Sequence, residues 1–201
     1  MSNTLHMPGY RLSEYRLIVP LPEVLQDKIT GLRKTLFEKH SITAATELKP
    51  SITLMQCHAY EKMEQKLVTR LQEIAMGQTP FTVTLQGFEA QPSHSVFINV
   101  VNKAPFAELA KNLKHTRWLV NVPQHDPHFY TEPRLALARQ LKPMKFISVW
   151  MDCEHRQFNG RYVADAMLLL KRSAINNRWE VVKRMEFLSR GAMVQQGVLF
   201  A

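Results

Sequence analysis

Two stretches share one frame, ELKPSITLMQ around Ser51 and YTEPRLALAR around Arg134. In each, a Pro precedes a polar residue, an aliphatic residue, a small residue and a Leu. In a strand, residues i and i+2 face the same way. Ile52 and Leu54 therefore point to a core, which puts Ser51 and Thr53 together on the opposite face. By the same rule Leu135 and Leu137 point inward and leave Arg134 and Ala136 opposite. A frame with a fixed inside and outside, used twice, predicts two small sheets that present equivalent faces.

The segments around the frames extend the repeat. YRLIVPL (Tyr15–Leu21) reads as a strand closed by Pro20 and Pro22. An amphipathic helix follows from Pro22 to about His40, with Leu25, Ile29, Leu32 and Leu36 at helical spacing. The next strand is Ser51–Cys57, which carries the first frame. His94–Val101 reads as a strand, and a helix with Phe106, Leu109, Ala110 and Leu113 as its buried stripe follows it. The second frame then lies on a strand at Pro133–Ala138. Strand, helix and strand thus occur twice with similar spacing, each unit predicting a sheet with a helix on its outer face.

The rest of the chain fills in around these units. Glu61–Met76 is a helix ended by Gly77, and Phe81–Phe88 alternates as a half-buried strand should. A short helix is expected at Pro143–Cys153. The end reads as a hairpin: Arg161–Lys171, a turn at Asn176–Asn177, and Trp179–Leu188. No Gly-rich phosphate loop and no dinucleotide fingerprint follows any strand.

The expected fold class is α+β, with two pseudo-symmetric lobes of antiparallel sheet and outer helices around a central cleft. We divide the chain into an N-terminal extension at residues 1–14, a single two-lobed domain at 15–190 and a tail at 191–201. Related by a pseudo-twofold, the two frame faces would meet across the cleft and bring two hydroxyls and one guanidinium together.

These features resemble the 2H phosphoesterase superfamily, which includes 2′-5′ RNA ligase-like proteins and RNA cyclic phosphodiesterases. Its members carry two His-x-Thr/Ser motifs in a Pro-His-aliphatic-Thr-Leu context, on strands flanking a concave cleft. KPSITL (Lys49–Leu54) and EPRLAL (Glu132–Leu137) fall at the corresponding places, and the likeness runs from roughly Tyr15 to Ser189. The resemblance implies phosphodiester transfer or hydrolysis, one imidazole taking a proton and the other giving one, work suited to a group titrating near neutrality. Here the motif positions are occupied by Ser51 and Arg134, and the second Thr/Ser position by Ala136. Only Thr53 keeps the family's residue type. A serine accepts no proton unaided, and a guanidinium does not give its proton up.

What remains suits phosphate. Arg134 offers a planar donor fork, and Ser51 and Thr53 offer hydroxyls. The leading expectation is a non-catalytic or altered protein, a pseudoenzyme, that binds a phosphorylated small molecule, nucleotide or RNA terminus through these three residues. A second reading keeps an active cyclic phosphodiesterase or 2′-5′ RNA ligase with displaced residues. Its candidates are His128, His94 and Tyr130, from the loop PQHDPHFYTEPR and the start of the His94 strand. His58 falls, by parity, on the opposite side from Ser51 and Thr53. A third reading is a protein-interaction module with the basic C-terminal hairpin as its surface.

Composition narrows the setting. The formal net charge of +9 favours anionic partners, although no Lys/Arg-rich tail marks a nucleic-acid arm. Only Cys57 and Cys153 are present, with no zinc spacing. His125, His128 and Asp126 supply too few ligands for a metal, so neither a metal nor a cofactor is expected. The longest apolar run, AMLLL at Ala166–Leu170, is far too short to span a bilayer. The first twelve residues hold no apolar stretch of secretory type. We expect a cytoplasmic protein with reduced thiols and no membrane partner.

Overall fold

The computed structural model describes residues 10–42, 49–91, 94–173 and 178–189. Nine strands form two antiparallel sheets among the described residues. The first sheet runs β5-β2-β1-β8-β9 and the second β6-β4-β3-β7. In the first sheet β1 is Leu12–Pro20, β2 Ser51–Tyr60, β5 His128–Phe129, β8 Ala166–Ser173 and β9 Trp179–Glu186. In the second, β3 is Phe81–Gln91, β4 Ser95–Val100, β6 Leu135–Ala138 and β7 Asn159–Ala164. The helices are α1 (Glu23–Lys39), α2 (Glu64–Gly77), α3 (Ala104–Leu113) and α4 (Pro143–Glu154). The architecture is the expected α+β one, two sheet lobes with helices outside.

Pro20 and Pro22 end β1 because proline has no N–H to give to a ladder. The helix that follows starts at Glu23, and the Pro22 carbonyl accepts from the N–H groups of Leu25 and Gln26. Ile29 and Leu36 are its fully buried positions, as the spacing predicts.

The helices do not stay with their own lobes. α1 leaves the first sheet yet lies against β6 of the second, where Leu36 joins Val96, Leu137 and Val149 in a smaller core cluster. α3 leaves the second sheet and lies against β2 of the first. Phe106 meets Phe81 edge-on, with ring centroids 5.0 Å apart. This exchange explains why one core cluster contains Tyr15, Leu17 and Ile52 of the first sheet together with Val83, Leu85 and Ile98 of the second. The lobes share a core, so neither helix is simply the outer cover of its own unit.

Two expectations need correction. Arg161–Lys171 is not one strand. The chain breaks at Asp165, so that β7 completes the second sheet and β8 enters the middle of the first. The Phe187 N–H donates to the Asp165 carbonyl at 2.8 Å and pins that corner. β8 and β9 do pair as a hairpin, while the turn expected at Asn176–Asn177 lies outside the described residues.

The second correction concerns β2. Leu17 pairs with Met55 but Ile18 pairs with Thr53, so Leu54 is an inserted residue, a β-bulge. Leu54 and Met55 are both buried, and the alternation resumes one step out of phase. His58 therefore shares a face with Ser51 and Thr53 and does not oppose them. No described helix is long and apolar enough to cross a membrane.

Candidate functional site

Sheet pairing fixes which side chains share the open face of the first sheet. Ser51 lies opposite Pro20, Thr53 opposite Ile18, Gln56 opposite Arg16 and His58 opposite Glu14. Beyond β1, Ile18 faces Leu168, Arg16 faces Leu170 and Glu14 faces Arg172. On the other edge His128 of β5 lies opposite Gln56.

At the centre of this face stands Glu14, only 9% exposed. Its carboxylate accepts from Gln56 Nε2 at 2.8 Å and from Arg172 Nε at 2.9 Å, and a second Arg172 nitrogen also bonds to it. Arg16 Nη2 is 3.7 Å away. The Arg16 and Arg172 guanidinium carbons lie 4.5 and 5.0 Å from the centroid of Trp179, within cation–π range.

The second sheet contributes more cations. Arg134 and Arg139 place their guanidinium carbons 5.8 and 5.9 Å from the centroid of Phe97, which pairs with Ala136. Arg134 Nη2 is also 2.8 Å from Glu132 Oε2, and its side chain is 40% exposed. That hydrogen bond and charge hold the Glu132 carboxyl below its usual range. Arg33 of α1 donates to the Ala136 carbonyl at the free edge of β6.

The two frame strands meet. β2 and β6 approach to within 8 Å between Cα atoms, and the Tyr130 N–H donates to the Leu54 carbonyl at 2.9 Å. Charges from both sheets also act on one another. Burial lowers the pKa of Arg16, with Arg139 and Arg172 pushing the same way against the pull of Glu14. Burial, aided by Arg139, lowers that of Arg33 to about 10. Arg16 Nε and Arg33 Nε are buried without a hydrogen-bond partner among the described residues. Four guanidinia (Arg16, Arg33, Arg139, Arg172) thus crowd a region that holds Glu14 as its buried carboxylate. Such a surplus favours an anion.

The displaced candidates separate. His128 sits on the same face, edge-on to Tyr130 at 4.2 Å between centroids. His58 packs against His125 at 4.3 Å, and burial, then His125, lowers its pKa. His94 is elsewhere. It occupies a turn at φ 53 and meets Phe146 of α4 edge-on at 5.4 Å, on the helix-covered side of the second sheet. Among the described residues no group of three or more His, Cys, Asp or Glu is placed to hold a metal. Burial pushes the Cys57 and Cys153 thiols up to about 12 and about 11, away from reactivity.

Sequence reading missed Arg16, Arg139 and Arg172. Arg16 had a signal, being the one charge within the apolar strand Tyr15–Leu21. Arg139 and Arg172 had none, because their roles depend on which strands become neighbours.

Comparisons with known proteins agree with this architecture. E. coli LigT complexed with 3′-AMP superposes with a TM-score of 0.66 at 18% identity, over 88% of this chain and 99% of that one. E. coli LigT complexed with ATP gives 0.63 at 16%, over 88% and 99%. TT0787 of Thermus thermophilus gives 0.61 at 16%, again over 88% and 99%. No curated protein matches. The model of one family covers residues 21–174, most of the chain and both frame strands, and on that match the chain belongs to the 2′-5′ RNA ligase superfamily.

Proposed function

We propose that this protein binds the phosphate of a nucleotide or RNA end in its cleft, and that the superfamily's proton-transferring pair is absent from it. Ser51, Thr53 and Arg134 are the proposed ligands, with Arg16 and Arg139 supplying the surrounding positive potential. The observation that carries the reading is the crowding of mutually repelling guanidinia beside the frame strands, the half-buried Arg16, Arg33 and Arg172 with the exposed Arg139. An anion would relieve that repulsion and supply acceptors for the orphaned Arg16 Nε. Relatives of the same fold have been crystallised with 3′-AMP, ATP, NADP+ and phosphate, which supports a phosphorylated small molecule as the ligand.

Catalysis is a separate matter. Positioned acid–base groups contribute about 10²–10⁴-fold each. A hydroxyl and a guanidinium at the two motif positions perform neither half of that transfer. On this reading the site holds a phosphodiester and leaves it intact.

A second reading has one specific observation in its favour. His128 lies on the open face, in the same row as Gln56 and Arg16, and so stands near the same cations. In that case His128 would serve as the displaced acid or base of a cyclic phosphodiesterase.

Calorimetric titration with inorganic phosphate, AMP and a short RNA bearing a 3′-phosphate tests the first reading, with a 2′,3′-cyclic phosphate turnover assay run in parallel. Binding that weakens in Arg134→Ala, with no turnover, is expected. Absence of binding to every phosphate ligand would remove the proposal. Turnover that is lost in His128→Ala would replace it with the second reading.

A further inference from the structure

The run Ala166–Leu170 is apolar at every position, and β8 lies inside the first sheet. Met167 and Leu169 belong to the main core. Leu168 and Leu170 point the other way, in register with Ile18 and Arg16 of β1. Leu170 and Ile18 are only 5% and 6% exposed, yet neither belongs to a core cluster. An antiparallel sheet that turns one face to solvent ordinarily makes that face polar. This face is aliphatic over part of its area.

These side chains line a cavity of about 620 Å³ beside Ser51, within the roughly 300–1,000 Å³ range of small-molecule sites. Ile18, Leu168, Leu170, Val181 and Trp179 form its apolar wall, and the exposed cations Lys49 and Arg178 also line it. Gln26, the neutral amide in the lining, donates to the Leu21 carbonyl at 2.5 Å. The aliphatic part of the wall offers dispersion and no hydrogen bonds, and the Trp179 ring already carries the Arg16 and Arg172 guanidinia. A nucleobase driven against this wall would leave its polar edges unpaired, which is costly. A hydrocarbon chain has no such edges.

We propose that this cavity holds the alkyl chain of an anionic amphiphile, with the head group against Lys49 and Arg178. The inference goes beyond the phosphate reading of the cleft and does not depend on it. A phosphate monoester and a carboxylate share the required chemistry, a single anionic head on an unbranched chain.

The test is a chain-length series. Methyl, hexyl, octyl and decyl phosphate, with hexanoate, octanoate and decanoate, are titrated calorimetrically below the concentrations at which they aggregate. Burying one methylene is worth about fourfold in affinity, so each step of two carbons tightens binding about fifteenfold until the cavity is full. Equal slopes for the two heads identify any anionic amphiphile as the ligand class, and a slope confined to the phosphates identifies an alkyl phosphate.

Val181 is 62% exposed, so Val181→Glu places a charge in the wall at an accessible position, and a melting curve checks its fold. It removes the slope, and the uncharged Val181→Gln weakens the slope while leaving binding of inorganic phosphate unchanged. Leu168→Gln reduces the slope independently. Affinity that does not vary with chain length, or a slope that survives Val181→Glu and Leu168→Gln, overturns the proposal. So does AMP binding as tightly as decyl phosphate and losing that affinity in Val181→Glu. A slope that persists while inorganic phosphate and AMP fail to bind keeps this proposal and refutes the cleft reading.

Discussion

On the proposed reading, Arg134 and Glu132 form a pair whose two halves would act in opposite directions on a phosphate. Their 2.8 Å contact leaves Arg134 40% exposed, with its guanidinium also beside Phe97. A charge-assisted hydrogen bond is worth about 1.5–3 kcal/mol. Partial exposure screens the Arg134 fork, which places its contribution at the low end. Arg134→Ala is therefore expected to weaken phosphate binding about tenfold. Arg134→Lys keeps the charge and loses the planar fork, so it recovers part of that loss.

On the same reading Glu132 would compete with the ligand twice, by occupying a guanidinium nitrogen and by repelling an anion. Glu132→Gln removes both effects and should tighten binding several-fold. Exposed ion pairs contribute little to stability, so neither substitution should shift the melting temperature appreciably. Isothermal titration with inorganic phosphate and with AMP, at low and at physiological salt, reads all three variants. Opposite signs for Arg134→Ala and Glu132→Gln, both shrinking as salt rises, are the signature. If Arg134→Ala stays within twofold of the parent, or Glu132→Gln weakens binding, Arg134 does not hold the anion.

Three further outcomes follow from the same geometry. Arg16 is a half-buried cation with an unpaired Nε. The Glu14 carboxylate keeps Arg172 and Gln56 as partners when Arg16 is removed, so no buried charge is stranded. Arg16→Met should therefore keep or raise the melting temperature while weakening phosphate binding, and a clear drop in melting temperature would contradict the electrostatic account. On the proposed motif assignment, Ser51→His with Arg134→His and Ala136→Thr would restore the superfamily's motif residues at both frames. Assayed on a 2′,3′-cyclic phosphate, the triple variant should gain measurable turnover over the parent, and silence in a folded triple variant would count against the motif assignment. The last outcome concerns pH. His58 has its pKa lowered in the folded state, first by burial and then by His125. The unfolded chain therefore binds that proton more readily, and stability falls as pH drops from about 7 through the unfolded value of about 6.5. Denaturation curves between pH 7.5 and 5 should show this loss, and His58→Gln should reduce it. An unchanged slope in that variant would remove His58 as its source.

Much of the fold is legible in the residues because proline, aliphatic periodicity and capping act locally. Pro20 and Pro22 mark the end of β1, the Leu25–Leu36 stripe marks α1, and the repeated frame marks two strands whose inner faces are aliphatic. The bulge at Leu54 leaves a faint trace, two consecutive buried apolar residues in Leu54 and Met55, but a strict alternation runs through it and puts His58 on the wrong face. The break at Asp165 is hidden because residues on either side suit a strand, and only the sheets decide which one each half joins. The exchange of α1 and α3 between lobes was not legible. An amphipathic stripe states which face of a helix is buried, not which sheet buries it.

The same limit governs the site. Ser51, Thr53 and Arg134 stand out through their place in the frames. Arg16, Arg139 and Arg172 become a group only when β1, β8 and the end of β6 are brought together. Crowding of like charge is a tertiary property, and it is what distinguishes this cleft from an ordinary polar sheet face.

The central claim is that the groove between β2 and β6 holds an anion without an imidazole pair to act on it. A crystal structure grown or soaked with phosphate tests this directly. The account predicts density for one anion bonded to the Ser51 or Thr53 hydroxyl and to Arg134, with Arg16 and Arg139 nearby. Phosphate bound only outside that groove, or Arg134 still turned wholly to Glu132 with the groove filled by water, would contradict it.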